Sequence, residues 1–300
     1  MNVFQIITEI EKVDPEVYER LDSRRRMFKH FAGFGKTLAA AAVPLALGSM
    51  FNKAYGQGSG LPQNIRDVLN FALTLEWLEY HYYNEALSKG AALIPTGAAT
   101  TAITDIRNNE LAHVNFLKDV LKTDVDPTLV TVPASRFDFT ADGNFATVFS
   151  NYDTFLAVAQ AFEDTGVRAY KGQAAELISN NTVLEAALNI HSVEARHASH
   201  IRTMRRVRAN AVGATPNTAT AGSPSFSASP KSWIVGNDGN GPAPGKTDAI
   251  YAGEELTTQA GVSLAGIATA NSLSATAASE AFDEPLTKAQ VLSIVTPFLN

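Results

Sequence analysis

The residues that could do chemistry form one arrangement that occurs twice in the 300-residue chain. Each copy has a glutamate, a tyrosine seven residues later, and a Glu-x-x-His motif in the next predicted helix. The first copy consists of Glu76, Tyr83, Glu110 and His113, and the second consists of Glu163, Tyr170, Glu194 and His197. Four glutamates and two histidines on four amphipathic segments are the set that a helical bundle needs to hold two metal ions in its core.

The two lone glutamates lie within the apolar stripes of their predicted helices. Glu76 shares its helix face with Leu69 and Leu73, and Glu163 shares its face with Leu156. A glutamate in such a stripe is costly unless it is paired or bound to a cation. The spacing of three in each Glu-x-x-His places both of its side chains on one helix face. The sequence therefore predicts one buried site with six metal ligands: Glu76, Glu110, His113, Glu163, Glu194 and His197.

The charge and the chemistry of these side chains restrict the metal. Four carboxylates buried together would take up protons unless cations balanced them, and two divalent ions carry the required charge. Oxygen and imidazole ligands suit iron, manganese and zinc. The chain has no cysteine, which excludes disulfides, thiolate zinc sites and iron–sulfur clusters. We expect two divalent ions, iron or manganese, with zinc as an alternative.

Other polar residues near the motifs could support the ligands. A core tyrosine needs a partner for its hydroxyl, and a ligand carboxylate on a neighbouring helix is the natural partner for Tyr83 and for Tyr170. Ordinary half-buried tyrosines are the alternative, but the repeated spacing favours the supporting role. Glu79 and His191 lie one turn from ligands and could join the site. His81 and His200 are predicted to be surface or structural residues.

Residues 1–56 differ in character from the rest and have the parts of an export signal. Arg25 and Arg26 precede Met27 and Phe28 in a pattern that resembles the twin-arginine signal, although Lys29 stands where leucine is usual. The apolar run that follows is shorter than the roughly 20 residues of a membrane-spanning helix. We expect export to the bacterial periplasm by the twin-arginine pathway, with no stable membrane span after processing. A basic amphipathic helix that belongs to the fold is the alternative.

Residues 57–212 contain four helical patterns arranged in two pairs. The first pair covers 62–89 and 100–122, and the second pair opens at two predicted capping boxes that begin at Ser150 and Thr182. The prolines and alternating apolar residues of 124–143 indicate an extended crossover between the pairs. The predicted fold is therefore all-α, a four-helix bundle with a long crossover between helices 2 and 3.

Residues 213–300 are predicted to form a loop-rich C-terminal extension with short helices. The segment 213–248 is rich in glycine, proline and serine and indicates a surface loop or wrapping arm. The small residues of 259–282 favour a helix, and a capping box at Thr287 and Gln290 predicts a final short helix. The net charge of −6, without a broad basic stripe, argues against a nucleic-acid partner.

These motifs resemble the ferritin-like superfamily, and most of all the exported ferritin-like domain proteins related to plant and bacterial desiccation-associated proteins. The resemblance is carried by 68–79, 110–113, 162–166 and 194–197, and more loosely by 281–287. It implies a ferritin-like bundle over about 62–212 and the six metal ligands. In most ferritin-like relatives the glutamates that correspond to Glu110 and Glu194 bridge the two metals.

Three functions agree with these observations. The first is an oxidoreductase of the peroxidase, catalase or ferroxidase type, whose substrate is peroxide, dioxygen or ferrous iron. The second is metal sequestration, and the third is a non-catalytic structural protein that protects against stress or desiccation. The sequence favours the first, with a stress-related role. The absence of cysteine excludes an internal iron–sulfur relay, and a homodimer remains open.

Overall fold

Four long helices form the body of the part of the chain that the structure describes. The structure, a computed structural model, describes residues 60–211, 230–237, 247–259, 261–264 and 274–300. The bundle helices are α1 (Gln63–Ser88), α2 (Ala98–Leu121), α3 (Tyr152–Gln173) and α4 (Asn181–Ala211). Helix α1 packs mainly against α2, and α3 packs mainly against α4. The predicted all-α bundle is confirmed, whereas the predicted export signal at 1–56 lies outside the described residues and stays a prediction.

Asparagine side chains, rather than the predicted hydroxyl residues, cap the second pair of helices. The Oδ1 atom of Asn151 accepts a hydrogen bond from the backbone N–H of Thr154 at 2.9 Å at the start of α3. The Oδ1 atom of Asn180 accepts one from the N–H of Val183 at 3.2 Å at the start of α4. The capping boxes predicted at Ser150 and Thr182 were therefore wrong. Asparagine caps a helix about as well as serine and better than threonine, so these caps agree with the known preferences at helix starts.

The crossover between α2 and α3 consists of turns rather than a regular extended strand. It contains three short 3₁₀ turns: Lys122–Asp124, Pro127–Leu129 and Ala134–Arg136. Its prolines fix φ near the value that such turns need, which explains why they interrupt the predicted extended segment. Phe137 forms an isolated antiparallel bridge with Leu299, so the C-terminus holds the crossover against the bundle.

The described parts of the C-terminal extension contain short elements, as predicted. They are α5 (Asp248–Tyr251), β1 (Thr258–Gln259), β2 (Val262–Ser263), α6 (Ala275–Ser279) and α7 (Lys288–Val295). The helix predicted over 259–282 is wrong at its start, because β1 and β2 pair as an antiparallel hairpin. Gly261, with φ of 80°, supplies the left-handed residue of that turn. The capping box of Thr287 and Gln290 at α7 is confirmed.

A buried arginine on α3 fastens this extension to the bundle. The Nε atom of Arg168 lies 2.8 Å from a carboxylate oxygen of Glu254 and donates to the carbonyl oxygen of Glu284 at 2.6 Å. Its terminal nitrogens donate to the carbonyl oxygens of Ile250 and Ala252. Arg168 is only 1% exposed, so its charge has lost its contact with water. These hydrogen bonds and the ion pair compensate for that loss.

A second buried ion pair lies beside that contact. Arg202 of α4 makes a bidentate pair with Asp164 of α3, and the hydroxyl of Tyr251 donates to the same carboxylate at 2.8 Å. The extension therefore contributes a side chain to the interior of the α3–α4 pair. Among the described residues, no helix combines the length and the apolar character needed to cross a membrane.

Candidate metal centre

The six predicted ligands meet at the middle of the bundle. Each of the four helices contributes, since Glu76 lies on α1, Glu163 on α3, and the two Glu-x-x-His motifs on α2 and α4. All four glutamates are fully buried, and His113 and His197 are 6% and 5% exposed. Apolar residues of all four helices surround them in one core. The helical spacing explains the convergence, because residues three apart point to the same side of a helix.

The ligands divide into two groups of four that share two members. Glu76, Glu110, His113 and Glu194 place one nitrogen or oxygen each within 4.8 Å of one another, and so do Glu110, Glu163, Glu194 and His197. Glu110 and Glu194 belong to both groups. The two carboxylate oxygens of Glu110 face different histidines. Its Oε2 atom lies 3.0 Å from Nδ1 of His113, and its Oε1 atom lies 2.9 Å from Nδ1 of His197. Two adjacent cation positions with two shared carboxylates would fit this arrangement.

Several buried polar atoms of this cluster lack a hydrogen bond of normal geometry. They are Oε1 of Glu110, Oε2 of Glu163, both carboxylate oxygens of Glu194 and Nδ1 of His197. Buried polar atoms without partners are costly and rare in folded proteins. Here they face one another across the centre of the bundle, where a cation would satisfy them. The residues present therefore fit a pair of divalent ions, and the oxygen and imidazole donors fit iron, manganese or zinc.

The two tyrosines bond to ligand carboxylates across the bundle. The hydroxyl of Tyr83 on α1 donates to Oε1 of Glu163 on α3, and the hydroxyl of Tyr170 on α3 donates to Oε1 of Glu76 on α1. The two bonds are reciprocal, which explains why the Glu–Tyr spacing occurs twice in the sequence. Each bond engages one oxygen of the non-shared glutamate and leaves the other oxygen facing the cluster.

Burial and mutual repulsion shift the protonation of the metal-free cluster. Burial raises the pKa of Glu76 and of Glu194 to about 8 in each case, against the opposing effect of His113. Burial would also raise the pKa of Glu110, but the charge of His197 and bonds from both histidines lower it below its usual range. Burial would lower the pKa of His113 and His197, and the surrounding carboxylates raise both well above the usual value. In the metal-free protein, protons bound to these glutamates and histidines thus supply the positive charge that metal ions would supply.

We expect the metal-free protein to lose stability as pH rises from 6 to 8.5. A carboxyl whose folded-state pKa is raised stabilises the fold fully below about 4.5, its unfolded value, and that contribution is lost as pH rises through about 8 for Glu76 and Glu194. The raised histidine pKa values act in the same direction. Melting temperatures measured with chelator should fall by roughly 5 °C or more across this range.

The matched controls are the metal-loaded protein and a Glu76→Gln/Glu194→Gln variant. Both should show a flatter pH profile, since metal replaces the protons in the first and the titrating groups are absent from the second. A metal-free melting temperature that stays constant or rises between pH 6 and 8.5 would contradict the assigned protonation of the cluster.

A fifth carboxylate borders the site. Glu79, one turn after Glu76, is 3% exposed, and burial followed by the charge of Glu194 raises its pKa well above normal. A Cβ at Gly166 on α3 would lie 3.3 Å from Oε1 of Glu79 and 3.5 Å from Oε2 of Glu194. The missing Cβ makes room for both carboxylates. A glycine inside a helical pattern is the sequence signal that could have indicated this close approach.

The remaining histidines among the described residues lie apart from the cluster. His191 donates through Nδ1 to the carbonyl oxygen of Val167 at 2.9 Å, and His81 donates through Nε2 to that of Val132 at 2.7 Å. His200 is exposed. His81 and His200 therefore lie as predicted, whereas His191 does not join the site. Sequence reasoning missed Asn109, whose side-chain amide lies 3.0 Å from Nε2 of His197, because no local pattern marks it.

The fold and this cluster agree with the comparisons to known proteins. Residues 65–206 match the family model described as "Ferritin-like domain". The matched segment includes all six predicted ligands and supports the ferritin-like superfamily. Residues 65–206 are thus similar to a ferritin-like domain, and the buried glutamate and histidine groups within them could bind metal. Neither the curated proteins nor the solved structures contain a match to the chain.

Proposed function

We propose that this protein binds two iron or manganese ions and acts as an oxidoreductase on peroxide, dioxygen or ferrous iron. One observation carries the proposal: two overlapping ligand groups share Glu110 and Glu194 within a fully buried core. Glu110 and Glu194, with the other four ligands, would hold two redox-active ions, and such ions would supply the electron-transfer chemistry that reduction of peroxide or dioxygen, or oxidation of ferrous iron, requires. The resemblance to desiccation-associated proteins supports a stress-related role.

The protein's own residues would hold and orient this centre. Tyr83 and Tyr170 fix the carboxylates of Glu163 and Glu76 and would leave one oxygen of each for a metal. The Nδ1 atoms of both histidines face the carboxylates, so His197 would carry its proton on Nε2. That proton can be donated to the side-chain oxygen of Asn109 when the amide is turned toward the ring. The surrounding apolar core would exclude water and competing reactions.

We expect iron- or manganese-loaded protein to consume peroxide or to oxidise ferrous iron. Glu110→Ala should reduce the rate about 100-fold or more, because it removes an oxygen from both proposed metal positions. Metal content by elemental analysis of protein from its native compartment, followed by peroxide and ferrous-oxidation assays, provides the measurement. Glu185→Ala is the matched control, since Glu185 is exposed on α4 and should leave the rate unchanged.

One observation favours a non-catalytic alternative, in which bound metal only stabilises a protective or metal-sequestering protein. The four glutamates are 0% exposed, so a substrate reaches them only through movement or a narrow path. This alternative would be the better one if the loaded protein turned over no faster than Glu110→Ala in both assays and with both metals. The non-catalytic alternative also requires that the metal-loaded protein melt at a higher temperature than the metal-free protein.

A further inference from the structure

A groove opens between α2 and α4 beside the candidate metal centre. Its volume is about 890 Å³, within the usual range for sites that bind small organic molecules. Small and apolar side chains form much of its lining, among them Ala99, Ala102, Ile106 and Met204. A surface of this composition favours a ligand with an apolar body. It has few hydrogen-bonding groups, and burial of apolar surface away from water lowers the free energy of the complex.

The inner part of the groove reaches the cluster itself. His197 and Asn109 both line it. Nδ1 of His197 faces Glu110 at 2.9 Å, whereas Nε2 of the same ring contacts Asn109 at 3.0 Å. A molecule in the groove would therefore lie against the outer side of a proposed metal ligand.

The charges along the groove favour an anionic group on that molecule. Arg196 and Arg208 line it, against the single carboxylate of Asp105 among its lining residues. Arg208 is already paired with Asp153 at 2.9 Å. The guanidinium of Arg196 has no carboxylate partner in the part of the chain that the structure describes, and its nearest hydrogen-bond contact there is the hydroxyl of Ser192 at 3.4 Å. Arg196 therefore has donors free for an anion beside His197.

We propose that this groove is a binding site for an organic molecule with an apolar body and one anionic group. The apolar body lies on Ala99, Ala102 and Ile106, and the anionic group contacts Arg196. This binding site is separate from the proposed metal site and lies beside it. It does not depend on the metal function, because the lining is present without metal and binding can be measured on the metal-free chain.

The test uses two fluorescent probes on the full metal-free chain. They are 1-anilinonaphthalene-8-sulfonate, which has an apolar body and one anionic group, and N-phenyl-1-naphthylamine, which has a similar body and no charge. We expect Arg196→Gln to weaken binding of the anionic probe about tenfold and to leave the neutral probe unchanged. Ala102→Trp should weaken both probes about tenfold, because the indole would occupy the groove.

Two exposed residues of the crossover provide matched controls, Arg136→Gln and Ala134→Trp, and neither should change binding of either probe. Circular dichroism shows whether Ala102→Trp folds, and Val207→Trp at the exposed rim replaces it if it does not. The proposal is overturned if wild type binds neither probe, or if the groove-filling variant binds both as well as wild type does. Equal loss of both probes in Arg196→Gln would overturn the anionic assignment.

Discussion

Replacing Glu110 or Glu194 by alanine is expected to abolish metal binding at both positions, whereas replacing Glu76 or Glu163 is expected to leave one ion. Glu110 and Glu194 belong to both ligand groups, and Glu76 and Glu163 belong to one group each. Loss of a shared carboxylate would remove one oxygen ligand from each of the two metal positions. It would also remove about one of the negative charges that balance the two cations. Metal per chain is measured by plasma mass spectrometry after loading with Mn²⁺. It should fall from about two ions to near zero when a shared glutamate is replaced, and to about one when a non-shared glutamate is replaced.

The control for this series is Glu185→Ala, which removes an exposed glutamate from α4 and should keep the wild-type metal content. Circular dichroism of each variant separates loss of ligands from loss of fold. Equal metal content in Glu110→Ala and Glu185→Ala would refute the assignment of the shared ligands. A Glu76→Ala variant that loses both ions would show that the two positions do not fill independently.

Gly172→Ala is expected to detach the C-terminal extension from α3 and to destabilise the protein by about 2–4 kcal/mol. A Cβ at this position would lie 1.8 Å from the carbonyl oxygen of Leu286, and backbone rather than a flexible side chain would have to move. That movement would break the bond from the N–H of Leu286 to the carbonyl oxygen of Arg168, now 3.1 Å, and would disturb the Arg168–Glu254 pair. A urea melt measures the change.

Gly60→Ala is the matched substitution for Gly172→Ala, because a Cβ there meets only ordinary contacts of 3.7 Å or more. It should leave stability unchanged or slightly raised, since alanine restricts the unfolded chain more than glycine does. Limited proteolysis offers a second readout, with faster cleavage near 283–286 in Gly172→Ala than in wild type. A Gly172→Ala protein that melts like wild type would show that the extension is not held through this contact.

The sequence alone determined the four helices of the bundle and which of their side chains face the interior. Periodicity is a local property, so an apolar stripe with Glu76 or Glu163 inside it indicates which face of a helix is buried. The spacing of three in Glu-x-x-His places both side chains on that face for the same reason. The short final helix followed from Thr287 and Gln290, whose capping box depends on four consecutive residues.

Tertiary structure decided the features that join residues distant in the chain. Asn151 and Asn180 cap α3 and α4, although several polar residues near each end are of a type that can cap a helix. The division of ligands into two groups depends on how α2 and α4 face each other, which no local spacing specifies. Arg168 shows the same dependence, since its partners Ile250 and Ala252 lie more than 80 residues away in a part of the extension where the sequence has no chemical motif. Side-chain periodicity fixes direction within one helix, whereas contact between elements depends on the packing of the whole core.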